Sequence, residues 1–291
     1  MHSRIGEPTI TKEIRQQFDT VEQWIEFLKT DLPEENKGLR NASEETNASA
    51  RMFTKTDSLE GAIKLAEEGW PEGIERVEKL AVSLSEDLVK MLHVPEVTYD
   101  VTGDQLDVGR FVNGEPEDFM LFTSAEIDLE PKILHLIFNC CASGGVSTGV
   151  LMRKGAAVVS LIDALEQHGK RMIVDCIAYN DVGKGIETLV RVKESDAPVQ
   201  LANLVFTLAH PSTLRRLMFR CWEHLSRDIR DRYGFHASGG YGYVGEAPRD
   251  RRGDIYIEGL DRRRSSWYSD ETIPWLLAEL GKQGIHVERE E

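Results

Sequence analysis

The sequence predicts an α/β protein: an open, mostly parallel sheet with helices on both faces, preceded by a helical region and a small β region. Three observations carry this. Ile133–Cys141 and Arg171–Tyr179 are continuous apolar runs, as strands covered on both sides require. Between them, Val150–Gln167 repeats Ala156, Val159, Ile162 and Leu165 at helical spacing, so the three segments read as a β-α-β unit. Ahead of residue 130 the pattern is different, first helical and then made of short strands between turns. Three regions follow: 1–50, an N-terminal helix and polar linker; 51–130, a helical pair and a small β region; 131–291, the α/β domain.

Residues 9–31 contain one amphipathic helix. Thr20 with Gln23 forms a capping box, and Val21, Trp24, Ile25 and Leu28 share a face. Residues 33–50 run from Pro33 through Asn36, Asn41, Ser43 and Asn47 without apolar periodicity and read as a linker. Its two Asn-Ala-Ser sequons, at Asn41 and Asn47, lack the secretory context that would use them. Asp57 with Glu60 reads as a second capping box, opening a helix over Leu59, Ala62, Ile63 and Ala66 that stops at Gly69. Pro71 suits the first turn of the next helix, Ile74 to Met91, because its missing N–H costs nothing there. Trp70 is expected as a packed hinge residue. Val97–Val101, Asp107–Val112 and Phe119–Phe122 read as short strands between the turns Gly103-Asp104 and Asn113-Gly114-Glu115-Pro116.

Beyond the β-α-β unit, Glu187–Lys193 alternates and suits an exposed edge strand. Two helices follow, Val199–Ala209 and Ser212–Ile229, broken at His210-Pro211. Residues 234–253 form a long loop rich in glycine and tyrosine. Asp254–Leu260 is a strand, Ile273–Leu280 a helix and Ile285–Val287 a terminal strand. The order is β-α-β-β-α-α-β-α-β.

The chain has 291 residues and a formal charge of −15, and all of that charge lies in residues 1–150. Residues 151–291 are neutral, and 210–265 hold 12 Arg, no Lys and 8 acids. The acidic half opposes non-specific binding to nucleic acid or anionic membrane. The Arg-rich stretch either favours such binding locally or pairs with the acidic half, within one chain or between copies; pairing is the simpler expectation. No apolar run approaches the roughly 18 residues of a membrane helix. The first 20 residues contain no apolar h-region, so a cytoplasmic protein without secretory signal is expected. Cys140, Cys141, Cys176 and Cys221 have neither zinc nor CxxC spacing and are too few for a disulfide framework.

The order of elements resembles the von Willebrand factor A domain, over about residues 130–291. That fold opens with a buried strand and a helix, followed by a hairpin whose second strand lies on the sheet edge. In metal-binding members the first strand ends in Asp-x-Ser-x-Ser and helps to hold Mg²⁺. Here the strand ends in Asn139-Cys140-Cys141-Ala142-Ser143, so Asn139 stands at the Asp, Cys141 at the first Ser, and Ser143 agrees. Mg²⁺ prefers hard oxygen ligands and usually a carboxylate. A degenerate site is therefore expected, with no cofactor, its loops serving as a contact surface. Ser195 and Asp196 after the edge strand, Asp261 after the fourth strand, and Ser147 are expected on the same rim.

The whole chain also resembles a poorly characterised, phage-encoded family. The resemblance rests on Gly69-Trp70-Pro71-Glu72-Gly73, Lys154-Gly155-Ala156-Ala157 and His210-Pro211-Ser212-Thr213-Leu214-Arg215-Arg216. It implies a viral origin and a host-cytoplasmic setting, and assigns no activity.

Three chemistries compete for the functional residues. Cys140 or Cys141 at a strand end, with His210 at a helix junction, would suit a Cys–His enzyme; the alternative is a pair of buried small residues. Ser143-Gly144-Gly145-Val146-Ser147-Thr148-Gly149 joins strand to helix and could cradle phosphate, but it lacks the P-loop ending, and a plain turn capped by Ser147 or Thr148 is the favoured reading. Arg215, Arg216, Tyr241, Tyr243, Arg249, Arg251 and Arg252 could contact single-stranded nucleic acid by stacking and charge, or a protein partner. The remaining histidines show no metal-ligand spacing. With no complete catalytic set, the expectation is a non-enzymatic protein-binding or scaffold protein, or a homo-oligomer, that uses the strand-end rim and the 234–253 loop. The Cys–His enzyme and the nucleic-acid binder are the alternatives, and no membrane association is expected.

Overall fold

The computed structural model describes residues 9–10, 14–75, 77, 96–103, 105–123, 133–167, 170–180, 185–198, 200–235, 240–261 and 276. The expected class holds: an open, mostly parallel sheet flanked by helices. Its strands are β1 (Thr9–Ile10), β2 (Ile14–Phe18), β6 (Ile133–Asn139), β7 (Arg171–Asn180), β8 (Ile186–Lys193) and β9 (Ile255–Ile257), in the order β1-β2-β8-β7-β6-β9. β7, β6 and β9 run parallel, with Asn139 opposite Ile177 and Phe138 opposite both Cys176 and Ile257. β8 returns antiparallel to β7 and parallel to β2. A second antiparallel sheet, β3-β5-β4, joins β3 (Glu96–Asp100), β4 (Gln105–Leu106) and β5 (Phe119–Thr123).

Several expectations are corrected. Residues 14–18, to which the sequence assigned no element, are a strand; the helix expected within 9–31 is α1, Val21–Leu28, capped by Thr20 as its capping box implied. β2 covers β8, so Glu187–Lys193 is an interior strand and its alternation has another cause. Glu187 is buried because Arg15 (2.7 Å) and Arg251 (3.0 Å) neutralise it. Asp107–Val112 is not a strand: α4 spans Val108–Val112. The cap of α3 (Leu59–Glu68) is Ser58, whose hydroxyl accepts from the Gly61 amide, rather than Asp57. The 212–229 helix is broken. A π-helical turn at Thr213–Met218 leads into α7 (Phe219–Glu223), and after a bend α8 takes Arg227–Tyr233. The terminal helix and strand, and most of the helix expected over 74–91, lie outside the described residues.

The largest correction concerns the linker. Residues 33–50 carry two short 3₁₀ turns and enter α2 (Ala48–Thr54), which Asn47 caps. Asn36 and Ser43 are fully buried. This strap lies against the arginines of 215–230, so the acidic and Arg-rich parts pair within one chain. Arg220 binds Glu44 at 2.6 Å, and the Arg227 amide donates to Glu35. Most of the pairing, however, goes to backbone carbonyls. Arg216 donates to the carbonyls of Ser43, Glu45 and Thr56, and Arg230 to those of Arg40, Glu223 and Phe235. Guanidinium groups thus satisfy the carbonyl groups of a chain too short of regular structure to satisfy its own.

One large core unites Phe18, Trp24, Ala62, Leu136, Val159, Cys176, Phe206 and Trp222. The apolar faces of α1, α3, α5 (Thr148–Gln167) and α6 (Leu201–Ala209) all join it. The other sheet face carries a smaller cluster, Ile137, Ile177, Tyr179, Leu189 and Tyr256, beneath Ala247 of the long loop. The three quoted motifs act within the large core. A Cβ on Gly155 would stand 2.2 Å from the Leu208 carbonyl oxygen, so the glycine sets how closely α5 and α6 cross. A Cβ on Gly73 would meet the Trp70 ring at 2.0 Å. That ring in turn packs edge-on to His210, 4.6 Å between centroids.

Candidate functional site

At the C-terminal end of β6 the chain leaves the sheet through Cys140, Cys141 and Ala142, turns at Ser143–Ser147 and enters α5. Open α/β sheets place ligands at this end of their strands. The described residues form a cleft of about 460 Å³ here. One wall is Ala142 and Gly144; another is Gly240–Tyr243 of the long loop; a third is Leu214, Arg215 and Phe219; the strap closes it with Arg40, Ala42, Glu45 and Phe53. Its volume lies within the range of small-molecule sites. The structure thus brings the 143–147 turn, expected as a phosphate cradle or a plain turn, beside Arg215, Tyr241 and Tyr243.

Beneath the cleft lies an aromatic and charged floor. Tyr241 packs on Phe219 (4.4 Å) and Phe235 (5.2 Å), and Trp222 stacks on Phe235 (5.1 Å). The Tyr241 hydroxyl donates to Glu223 at 2.9 Å, and the Ser43 amide (3.0 Å) and hydroxyl donate to the same carboxylate. Burial outweighs these bonds and pushes Glu223 up to about 7. Tyr241 is driven well above the usual phenol range by burial and by Glu223. Tyr243 is the exposed aromatic of the site, at 54%.

The other expected site residues go elsewhere. Arg216 is fully buried against the strap. Arg251 pairs with Glu187; Arg252 donates to the Ala247 carbonyl (2.7 Å), pairs with Glu246 and covers the Tyr256 ring. With exposed Arg249, both lie on the loop over the smaller core, not beside Tyr241. Asp196 does not reach the rim: β8 runs antiparallel to β7, so its C-terminal end lies at the other end of the sheet. Asp261 follows Leu260, which bridges to Ala142, and so sits at the rim end. Ser147 caps α5, its hydroxyl accepting from the Val150 amide at 3.3 Å.

The Cys–His candidates lie inside the protein rather than on an open site. Cys140 and His210 line one small closed cavity of about 10 Å³, and both are buried. His210 Nδ1 accepts from the Ser212 amide at 3.1 Å, and Phe206 stacks on the ring at 5.1 Å. Burial presses its pKa down to about 4. Lys154 reaches into the same region, donating to the carbonyls of Asn139 (2.8 Å) and Glu258, and burial lowers it to about 8. Burial drives the Cys176 thiol well above its ordinary range.

The donor set at Asn139, Cys141 and Ser143 does not suit Mg²⁺. The Asn139 side-chain oxygen accepts from the Cys141 amide at 3.1 Å, and its nitrogen donates to Gly245 and Tyr256. The Lys154 ammonium already sits on the Asn139 backbone carbonyl, where it would repel a dication. Among the described residues, no group of three or more His, Cys, Asp or Glu could hold a metal ion, and no helix is long and apolar enough to cross a membrane.

Sequence reading missed Arg40, Glu45, Phe53, Leu214 and Phe219, and the buried Glu223. The usable signal was Asn47 ahead of Ala48–Thr54, a helix cap inside what looked like a linker.

A family model described as a domain of unknown function (DUF7192) matches residues 4–285. The chain belongs to this family. No curated protein and no solved structure matches it. The DUF7192 match takes in both the strap and the α/β sheet, so the cleft lies wholly within the family domain.

Proposed function

We propose that the chain is a non-enzymatic binding protein whose contact surface is the strand-end cleft with its rim, residues 142–147, Arg215 and Tyr241–Tyr243. The observation that carries this reading is the contrast between two cavities. The cleft is open and lined by aromatic, arginine and glycine residues, the composition of contact surfaces. Cys140 and His210 line a cavity of about 10 Å³, too small for a substrate, and Cys141 is buried. A von Willebrand factor A-like origin for the sheet is part of the same proposal, supported by the order β8-β7-β6-β9 with β8 antiparallel. So are a phage-encoded source and a host-cytoplasmic setting, which rest on the three quoted motifs. The partner in this reading is another protein or a second copy.

The test uses purified full-length protein with Tyr243→Ala and Gly242→Arg variants of unchanged circular dichroism. Partner capture or self-association by the wild type, lost in both variants, supports the reading. Turnover of an ester, peptide or nucleotide that disappears in Cys141→Ala would overturn it. So would rapid labelling of Cys140 or Cys141 by a thiol probe at neutral pH. Salt-dependent binding of single-stranded DNA, lost in Arg251→Ala and retained in Tyr243→Ala, would move function to the neighbouring loop.

A further inference from the structure

Among the described residues that line the cleft, Arg215 is the one with an unsatisfied buried donor. The residue is 2% exposed. Nη1 donates to the Phe53 carbonyl and Nη2 to the Val146 carbonyl, each at 2.7 Å, and the guanidinium lies 3.5 Å from the Phe53 ring centroid. Nε–H has no hydrogen-bond partner among the described residues. No described carboxylate pairs with it. Arg220, Arg251 and Arg252 of the same segment pair with Glu44, Glu187 and Glu246, and Arg216 and Arg230, like Arg215 held by neutral acceptors, have a partner for every buried donor. A buried cation held by two neutral carbonyls, with a donor left over, is costly unless something supplies counter-charge. Burial alone accounts for the lowering of its pKa to about 10.

The cleft beside it is built to admit a negative group. Gly144 and Gly242 leave backbone exposed, and a Cβ on Gly144 would meet nothing within 4 Å. The 143–147 turn leads into the N-terminus of the 20-residue helix α5, the positive end of its dipole. The acid lining the cleft, Glu45, is neutralised by Arg40 at 2.5 Å. Tyr243 offers an exposed ring.

We propose that this cleft is a small-molecule site for an oxyanion, phosphate or carboxylate, carried on a planar aromatic body, with Arg215 as its counter-charge and Tyr243 as its stacking partner. The inference uses the cleft of the preceding section but needs no protein partner. In a chain of net charge −15, saturable anion binding would not arise from bulk electrostatics.

The experiment measures thermal stability and heats of binding of the full-length protein with AMP, inorganic phosphate, benzoate and uncharged adenosine. AMP or benzoate is expected to raise the melting temperature with saturation, and adenosine to bind at least about tenfold more weakly than AMP. AMP stronger than benzoate assigns a phosphate head, and the reverse assigns a carboxylate. Gly144→Asp, at an exposed position with open space, should abolish anion binding without altering unfolding. Tyr243→Ala should weaken AMP or benzoate and leave inorganic phosphate unchanged. The inference fails if none of the anions binds at about 10 mM, or if Gly144→Asp leaves their binding intact. Loss of partner capture in rim variants alongside absent anion binding would sink this inference and spare the protein-contact reading.

Discussion

Glu223 joins three parts of the site: its carboxylate receives the strap through Ser43 and the cleft floor through Tyr241, and Arg230 lies near it. Its pKa, about 7 in the fold against about 4.5 when unfolded, makes it a source of pH dependence. The native state holds the proton more tightly, so this group's stabilisation is full below about 4.5 and lost as pH rises to about 7. His210 and His224 act oppositely. Both are pressed to about 4 by burial, so their contribution is full above about 6.5 and lost as pH falls towards 4. The expected outcome for Glu223→Gln, read by urea unfolding across pH 4 to 8, is a stability gain relative to wild type that grows between pH 4.5 and 7. It should reach on the order of 3 kcal/mol, at about 1.4 kcal/mol per unit of pKa shift. A constant difference across that range would show that Glu223 does not titrate there. None of this was legible in the sequence, where Glu223 is one acid among arginines on a helix. Burial alone separates it from Asp228, five residues on.

Among elements, the crossing of α5 and α6 depends on Gly155, and Gly61 in α3 provides its contrast. Alanine gains about 1 kcal/mol of helix propensity at either position. At Gly61 the new methyl would stand 3.6 Å from the Ser58 hydroxyl, so Gly61→Ala is expected to stabilise by about 0.5–1 kcal/mol. At Gly155 it would press on backbone atoms of Leu208 and Ala209 that have no rotamer by which to yield. Gly155→Ala is therefore expected to cost about 2 kcal/mol net, since overpacking exceeds the propensity gain. Chemical denaturation of the two variants checks both signs. α5 and the strands β6 and β7 were legible because burial on both sides imposes long apolar runs. β2 was not. Its IRQQF sequence is short and polar, and its pairing partner Ile186–Val190 lies more than 170 residues away.

For the whole molecule, the strap and the sheet share one core and one set of buried charges. Asn36 donates to the carbonyls of Glu223 and Leu225, and the strap supplies acceptors to Arg215, Arg216, Arg220 and Arg230. Removing residues 1–56 would strip Arg216 and Arg220 of their acceptors and Arg215 and Arg230 of part of theirs, a deficit of several kcal/mol in all. Residues 57–291 alone are expected not to give a cooperatively unfolding protein, and the full chain is expected to unfold in a single transition. Circular dichroism with urea titration of both forms checks this. A native-like, cooperative 57–291 fragment would show the strap to be an appendage.

By itself the sequence determined the α/β class, the principal strands and helices of residues 131–233, and the strand-end rim as the place to look. It could do so because apolar periodicity records which faces are buried. The tertiary structure decided which polar residues belong together. It drew Arg215, Tyr241, Tyr243 and an unsuspected strap into one cleft, sealed Cys140 and His210 in the core, and carried Asp196 to the far end of the sheet. Those outcomes depend on strand direction and on buried hydrogen bonds between residues more than 150 positions apart, for which local patterning holds no record.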